Sequence, residues 1–491
     1  MDEIQYIKDK AIVSAKWALI ARASQLLGSA IMMLFLPFWL VPDDFGIITM
    51  FSSVMALVMV LQQAGLMETT VQREQDSDKV REAAFWMSNT ISLMLYGILY
   101  ILAPLLSAYF GEDRLTLPLR VAGLQIILAG FSNIPLALLQ RQFQYQRYAL
   151  IQLVSSLIMI VAAALFAIQG KGYWAYIVGI LSGAAVRVLL TLFFLDWRPK
   201  FIFEFHWWGV AFKFSGFVTL EMLLGWFFSW FDNVIVAKNL GSDAAGIYSL
   251  AFNFALMVIS LPLAAITGVT LSTFSRMQND SAALKATYLK ATEFIASYAI
   301  PASIGFSIIG PLLIDLIYPG RYAYLGTILP ILALYAGFGH LWALNSDAFK
   351  AIGAPQIMLK IYVLAAVIML PLYVWASRIG LFEFVIVRSL LVFVGAVPHT
   401  YYAVRYLNLR NGYLFDIIRK PLFASMIMAI FVWAGTRVYF GINIPSSVLR
   451  LGFLLGIIVM GLLVYWLCML RISPGFHTQI VDLYSRSKNA V

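Results

Sequence analysis

The chain has 491 residues, of which 62% are hydrophobic and 12% charged, and its formal net charge is +10. A soluble domain is about half apolar and about a quarter charged, so this composition excludes an ordinary soluble protein and indicates a membrane protein. The single cysteine, Cys468, excludes an intramolecular disulfide framework.

Apolar segments long enough to cross a bilayer follow one another along the whole chain. A spanning helix needs about 20 mostly apolar residues, and the first such stretch begins near Trp17. It is too long for the apolar region of a signal peptide, so we interpret it as the first span. The predicted spans, about fourteen, are 14–40, 45–66, 84–109, 117–139, 149–169, 173–195, 212–237, 244–274, 290–318, 325–349, 358–377, 382–404, 421–440 and 449–470.

Basic residues in the connecting loops alternate between the two sides of the predicted membrane. About 23 Lys and Arg fall on the side of the N-terminus and about eight on the other side. The positive-inside rule therefore predicts that both termini lie in the cytoplasm. Because topology accounts for the basic excess, and no soluble segment has a basic stripe with interleaved aromatic residues, we expect no nucleic acid partner.

The sequence contains an internal repeat. "PDDFGIITMFSS" at 42–53 matches "SDAAGIYSLAFN" at 242–253, and three shorter matches occur at offsets between 197 and 207 residues. The offset spans an even number of predicted helices, so both halves enter the membrane in the same direction, as in parallel transporter repeats. The sequence thus predicts an all-α fold with a six-helix lobe at 1–205, a second at 206–410, and two extra helices with a cytoplasmic tail at 411–491.

No catalytic signature stands out in the sequence. It contains no phosphate-binding loop, zinc-protease motif, nucleophile elbow or cluster of metal ligands. Asp43 and Asp44 resemble the acidic loop motif of membrane glycosyltransferases, but an N-terminal cap of the following helix explains them better. We therefore expect a protein that is not an enzyme and that needs no cofactor or metal.

Five ionisable residues fall inside predicted spans, and they are Arg22, Arg187, Glu221, Asp232 and Arg388. A charge at mid-depth costs at least about 2.5 kcal/mol, so each of these residues should face a partner or water. We predict that the arginines bind substrate. The two acids share one face of a helix about 16 Å apart, and we predict that they couple to an ion. The alternative is a structural ion pair between an acid and an arginine, and it stays open.

Amide side chains within the spans are predicted to line the same water-filled cavity between the lobes. The residues predicted for this role are Gln63, Asn133 and Asn253. For each of them a simple interhelical hydrogen bond is the alternative.

Several motifs resemble those of a known family. They are "DDFGI" (43–47), "AGL" (64–66) followed by "QR" (72–73), "LGSDAAGIYSLAFN" (240–253), "FSRMQND" (274–280), "IPASIGFSIIGPLLIDLIYPGRY" (300–322) and "KAIGAPQIMLK" (350–360). Together they resemble the Wzx-type polysaccharide exporters of the multidrug/oligosaccharidyl-lipid/polysaccharide superfamily, especially the colanic-acid and teichuronic-acid exporter group. These motifs are turns and helix ends, so they specify the family and not the substrate.

The resemblance implies a flippase of the bacterial cytoplasmic membrane that moves an oligosaccharide on undecaprenyl diphosphate to the outer leaflet, for exopolysaccharide or lipopolysaccharide biosynthesis. It implies alternating access driven by an ion gradient or the membrane potential. The implied partners are the lipid-linked oligosaccharide, membrane lipids, Na⁺ or H⁺, and polysaccharide polymerase or export proteins. In the related lipid II flippases cavity arginines bind the diphosphate, and Arg22 matches them by helix and depth. Two alternatives stay open: a drug or small-cation antiporter of the same superfamily, and a membrane glycosyltransferase or polymerase.

Overall fold

A computed structural model describes residues 2–63, 78–195, 197, 199–200, 205–442 and 447–473. Within these ranges, the side chains of residues 2–15, 19, 63, 78–80, 205–221, 265–266 and 447 are not described. The described residues form helices and turns, and no strand occurs among them. The helices are α1 (Asp2–Phe35), α2 (Pro42–Gln63), α3 (Asp78–Phe110), α4 (Thr116–Ala122), α5 (Leu124–Arg141), α6 (Tyr145–Ile168), α7 (Trp174–Phe194), α8 (Phe205–Arg276), α9 (Ser281–Ile317), α10 (Ala323–Gly339), α11 (Asn345–Ala351), α12 (Gln356–Ser377), α13 (Leu381–Tyr406), α14 (Tyr413–Gly441) and α15 (Ser447–Ile472).

The long helix α8 contains two of the predicted spans. Its 72 residues are interrupted at Gly241, whose φ is 85°. Asp232 and Tyr248 would be about 24 Å apart along a straight helix, yet the Tyr248 hydroxyl donates to Asp232 Oδ2 at 2.6 Å. The chain therefore folds back at Gly241 into a first arm, 205–240, and a second arm, 242–276.

Thirteen segments of the described chain are long and apolar enough to cross a membrane. One of them, Met222–Ala264, extends over parts of both arms of α8. It therefore corresponds to two predicted spans. The prediction of an all-α, multi-pass membrane protein is confirmed.

The helices form two units, unit 1 (Met1–Ser249) and unit 2 (Leu250–Val491). In unit 2, the C-terminal helices α14 and α15 pack with α9 in one apolar cluster, so they belong to that unit. The lobe boundaries expected after residues 205 and 410 stay a prediction.

The two copies of the repeat motif cross each other in unit 1 at a pair of glycines. A methyl group at Gly46 would collide with the carbonyl oxygen of Ser242, and one at Gly246 would collide with the carbonyl oxygen of the first residue of α2. Three residues beyond the glycines, Thr49 Oγ1 donates to Ser249 Oγ at 2.7 Å. A local two-fold axis between the two motifs would produce this reciprocal packing. Glycine is required because only it lets two helix backbones approach so closely.

Gly46→Ala is expected to lower the melting temperature of the purified protein, because overpacking a close crossing costs about 1–3 kcal/mol. Gly97→Ala is the matched control. Gly97 lies inside α3, and an added methyl group would have no described neighbour within 4 Å. Alanine is favoured over glycine in a helix by about 0.5–1 kcal/mol, so the control should melt at the same or a higher temperature. Equal melting temperatures for the two variants would contradict the crossing.

At three of the prolines inside helices, a side chain donates to the carbonyl oxygen that the proline frees. Proline has no N–H, so the carbonyl four residues earlier loses its helical hydrogen bond. The three contacts are Arg120 Nε to Tyr100 O before Pro104 (3.3 Å), Tyr298 Oη to Val258 O before Pro262 (2.8 Å) and Tyr465 Oη to Ser297 O before Pro301 (2.8 Å). An unpaired carbonyl in hydrocarbon costs several kcal/mol, so these donors hold the helices in place at the prolines.

Tyr298→Phe is expected to lower the free energy of unfolding by about 1 kcal/mol, because Val258 O then has no donor. In a Pro262→Ala background the alanine N–H supplies the missing helical bond, so removal of the Tyr298 hydroxyl should cost less. A double-mutant cycle from thermal or denaturant unfolding measures this coupling. Strictly additive costs would mean that Tyr298 does not stabilise the proline site.

Candidate functional site

Two of the three predicted substrate arginines lie at one depth in unit 1. Arg22 is 13 residues before the last residue of α1, and Arg187 is 13 residues after the first residue of α7. These helix ends lie where α2 begins, because Asp44 Oδ1 in the first turn of α2 accepts from Tyr173 N, just before α7, at 3.1 Å. We call this the Pro42 end of unit 1, and both arginines are about 20 Å from it along their helices.

The packing of α1 and α7 on α6 gives the same register. Gly28 of α1 and Gly183 of α7 pack against the consecutive residues 155–156 of α6, and methyl groups added at the two glycines would lie 3.2 Å and 2.9 Å from them. From this level, Arg22 lies six residues and Arg187 four residues further from the Pro42 end, which is about 9 Å and 6 Å. The depths of the two arginines therefore agree within about 3 Å.

Neither guanidinium has a hydrogen bond or ion pair among the residues that the structure describes. Arg22 is exposed, and Arg187 is half-buried with a buried Nε that has no hydrogen-bond partner there. Arg147, by contrast, donates from Nη1 to Gln144 Oε1 at 2.9 Å and to Phe194 O at 2.8 Å. A charge within a span requires a partner or water, so both guanidinium groups are available to water or to a ligand.

Arg388, the third predicted substrate arginine, lies in unit 2 and is only 3% exposed. Its guanidinium carbon is 4.3 Å from the ring centroid of Phe252 and 4.7 Å from that of Tyr335. Two aromatic faces stabilise the buried cation, each by about 0.5–2 kcal/mol. In this conformation Arg388 is enclosed by protein, so a contact with substrate would require another conformation.

Asp232 is 2% exposed. Its carboxylate accepts from Tyr248 Oη at 2.6 Å and from Asn233 Nδ2 at 3.1 Å. The first of these bonds joins the two arms of α8, so Asp232 has a structural role at the fold-back. Glu221, the other predicted ion-coupling residue, lies in the first arm, and its side chain is outside the described residues.

The three predicted cavity amides are divided between the units. Asn133 is half-buried in α5 of unit 1, and Asn253 is exposed on the second arm of α8 in unit 2. Gln63 ends α2, and its side chain lies outside the described residues. Neither unit therefore contains all three.

An apolar cluster fills the interior of unit 1 where α5 ends and α6 begins, and we call it the plug. Its buried residues are Phe85, Ile134, Leu136, Leu138, Leu139, Ile151 and Leu195, and those packed against them include Tyr148 and Leu190. The plug brings together faces of α3, α5, α6 and α7.

One turn beyond the plug, toward the Pro42 end, the same helix faces carry polar side chains. Residues three or four apart on a helix lie on one face. The related pairs are Phe85 with Asn89, Tyr148 with Gln152, Ile151 with Ser155, and Leu190 with Arg187. Because the first members of these pairs meet in the plug, the second members form the next layer of the interior.

Gln62 of α2 joins this layer through α3 and α5. Its Nε2 donates to Ser92 Oγ at 2.7 Å and to Ile126 O at 3.0 Å. A methyl group at Gly130 of α5 would lie 3.2 Å from Asn89 Oδ1, so α5 passes directly beside this part of the layer. We call the five side chains Gln62, Asn89, Gln152, Ser155 and Arg187 the polar layer.

Each member of the polar layer has one buried atom without a hydrogen-bond partner among the described residues. These atoms are Gln62 Oε1, Asn89 Oδ1, Gln152 Oε1, Ser155 Oγ and Arg187 Nε. Asn89, Gln152 and Ser155 were not predicted from the sequence. The available signal was their spacing of four residues from a large apolar side chain, which is common in any membrane helix.

Asp43 and Asp44, the alternative catalytic pair, take part in structural contacts. Asp44 Oδ2 accepts from Val41 N at 3.2 Å and so caps the start of α2. Asp43 forms a bidentate pair with Arg114, at 2.7 Å and 3.0 Å, and also accepts from Ser242 Oγ. The capping hypothesis therefore describes Asp44, and Asp43 joins three loops at the Pro42 end.

Arg114 also binds Glu112, with its Nε 2.7 Å from Glu112 Oε1. The hydrogen bond from Arg114 holds the pKa of Glu112 below its usual value, although partial burial opposes this shift. Because its pKa is lowered in the folded protein, ionised Glu112 stabilises the fold at pH values above the ordinary carboxyl pKa. This contribution is lost as the pH falls through the lowered pKa. Glu112 is thus ionised near neutral pH.

A model of the family described as "Polysaccharide biosynthesis protein" matches residues 39–325. The chain belongs to this family. The succinoglycan biosynthesis transport protein ExoT of Rhizobium meliloti is 22% identical over 84% of this chain and 83% of its own. The lipopolysaccharide biosynthesis protein WzxC of Escherichia coli is 21% identical over 68% of each chain.

Two groups of solved structures share the fold. The lipid II flippase MurJ in an inward closed conformation superposes with a TM-score of 0.73 at 14% identity, over 96% of this chain and 100% of its own. An inward-facing multidrug resistance transporter of the MATE family, from the MOP superfamily, gives a TM-score of 0.62 at 17% identity, over 77% of this chain and 95% of its own. The predicted resemblance to polysaccharide exporters of this superfamily is confirmed.

Proposed function

We propose that this protein is a flippase that moves an oligosaccharide linked to a polyprenyl diphosphate across the bacterial cytoplasmic membrane for polysaccharide biosynthesis. Its relatives include a protein named for succinoglycan transport, and its fold is that of a lipid II flippase. Transport would proceed by alternating access, driven by an ion gradient or the membrane potential, and would not be an enzymatic reaction. Both termini would lie in the cytoplasm, which places the plug toward the cytoplasm.

The observation that carries this proposal is the pair of arginines at one depth in unit 1. A charge at this depth costs at least about 2.5 kcal/mol without a partner, and neither guanidinium is paired within the described chain. The planar guanidinium binds phosphate oxygens bidentately, so two of them at one level suit a diphosphate.

The cationic site distinguishes this function from that of a drug antiporter of the same superfamily. A cationic drug would be repelled by Arg22 and Arg187, and an anionic diphosphate attracted. The membrane potential acts on such a headgroup with about 2.3 kcal/mol per charge at 100 mV, enough to drive transport. Asp43 and Asp44, the acidic pair that a glycosyltransferase would use for catalysis, form structural contacts instead.

Arg22→Gln and Arg187→Gln are each expected to weaken binding of a polyprenyl diphosphate by about tenfold to hundredfold, as loss of a charged hydrogen-bonded contact does. Lysine at either position should restore part of the affinity, because it keeps the charge but not the fork. The measurement is a dissociation constant for the purified protein in nanodiscs. Arg147→Gln is the control, because its guanidinium is already bound within the protein.

The two outcomes against this assignment are distinct. Wild-type affinity in both glutamine variants would remove the arginines from the site. Tight binding of a lipophilic cation, with none of the diphosphate, would favour the antiporter.

We propose ion coupling for Glu221. For Asp232 we propose ion coupling in addition to its structural role at the fold-back. Glu221→Gln keeps the shape and removes the charge, so it should slow transport in proteoliposomes and flatten its dependence on pH or sodium. Asp232→Asn removes the charge and keeps an oxygen that can accept from Tyr248, and it is compared with Tyr248→Phe, which removes the donor without changing charge. Identical transport and ion dependence in these two variants would assign Asp232 to the fold-back alone.

A further inference from the structure

The polar layer is unfavourable for the stability of unit 1 in this conformation. A buried donor or acceptor without a hydrogen bond costs about 1–3 kcal/mol, and five such atoms lie within this one layer. Gln62, Gln152 and Ser155 are only 1%, 3% and 1% exposed. Apolar side chains of similar size would remove the cost, as they do in the plug one turn away. A cost of this kind at one place is expected where the groups act on a ligand.

The unmatched atoms define the chemistry that would satisfy them. Gln62 Oε1, Asn89 Oδ1 and Gln152 Oε1 only accept hydrogen bonds, Ser155 Oγ donates and accepts, and Arg187 Nε only donates. A complementary ligand therefore carries several O–H or N–H donors beside an anionic acceptor. A sugar attached to a phosphate has both, because its hydroxyl groups donate and the phosphate oxygens accept.

Arg187 connects the layer to the proposed diphosphate site. Its Nε is buried in the layer, and the residue as a whole is half-buried, at the depth of Arg22. A cation is the other ligand that amide oxygens bind, but the charge of Arg187 in the same layer opposes it.

We propose that the polar layer of unit 1, in a conformation that opens it to the ligand, binds the hydroxyl groups of the first sugar attached to the diphosphate, and so determines which saccharides are carried. This inference rests on the proposed function. It extends that function from the lipid diphosphate, held by the two arginines, to the adjoining sugar, held by amides of α2, α3 and α6.

The test compares two ligands, a polyprenyl diphosphate without sugar and the same lipid carrying one hexose. Wild-type protein in nanodiscs should bind the sugar-linked ligand more tightly. Gln152→Leu and Asn89→Leu should each reduce this ratio of affinities by about twofold to tenfold, which is the loss of one hydrogen bond. Affinity for the sugar-free diphosphate should stay unchanged. Gln152→Met serves if the leucine variant does not fold, and Gln142→Leu, at an exposed position, is the control.

A second measurement separates ligand binding from structure. Without ligand, Gln152→Leu should melt at the wild-type temperature or above, because it removes an unmatched buried atom; Asn89→Leu does not enter this comparison, because it also removes the hydrogen bond from Asn89 Nδ2 to Phe85 O at 2.9 Å. A lower melting temperature would identify the layer as a structural network and overturn the inference. An unchanged ratio of affinities would mean that the layer holds only water. If the wild type binds neither ligand, the proposed function itself fails.

Discussion

Inside a bilayer each polar group of a protein has to find its partner within the protein, because hydrocarbon offers none. This constraint explains most of the polar contacts in the structure. Tyr298 and Tyr465 donate to the carbonyl oxygens that Pro262 and Pro301 set free. Two aromatic rings that are distant in sequence, those of Phe252 and Tyr335, cover the guanidinium of Arg388. At these two prolines and at Arg388, side chains from other helices therefore supply the partners.

The polar layer of unit 1 is an exception to this rule, because its members have buried atoms without a hydrogen-bond partner among the described residues. Its position in the unit helps to explain the exception. It lies between the plug, whose buried side chains are apolar, and the Pro42 end, where Asp43, Asp44 and Arg114 form hydrogen bonds. These three polar side chains have partners at the Pro42 end, and the buried side chains of the plug need none. Five of the nine buried side-chain atoms that have no hydrogen-bond partner among the described residues belong to this layer, so a function of the layer is the simpler explanation.

The sequence was sufficient for properties that depend on one helix at a time. Hydropathy identified the spans, including both arms of α8, and charge within an apolar run predicted Arg22 and Arg187 as binding residues. Contacts that depend on the register between helices were beyond its reach. Phe252 and Arg388 are 136 residues apart, and nothing local to either one indicates that they stack. The polar layer was missed for the same reason, since Asn89, Gln152 and Ser155 become a group only when the plug aligns α3, α6 and α7.

The repeat motifs show how one short sequence serves the whole unit. At the start of α2 and of the second arm of α8, an Asp-x-x-Gly-Ile segment begins the helix. Each segment supplies one glycine of the crossing. Because each glycine packs against the backbone of the other motif, both motifs require glycine at this position. The crossing fixes the beginning of α2, and Asp44 links that beginning to α7. The level of Arg187 is therefore set by contacts about 20 Å away, at the opposite end of its helix from the plug.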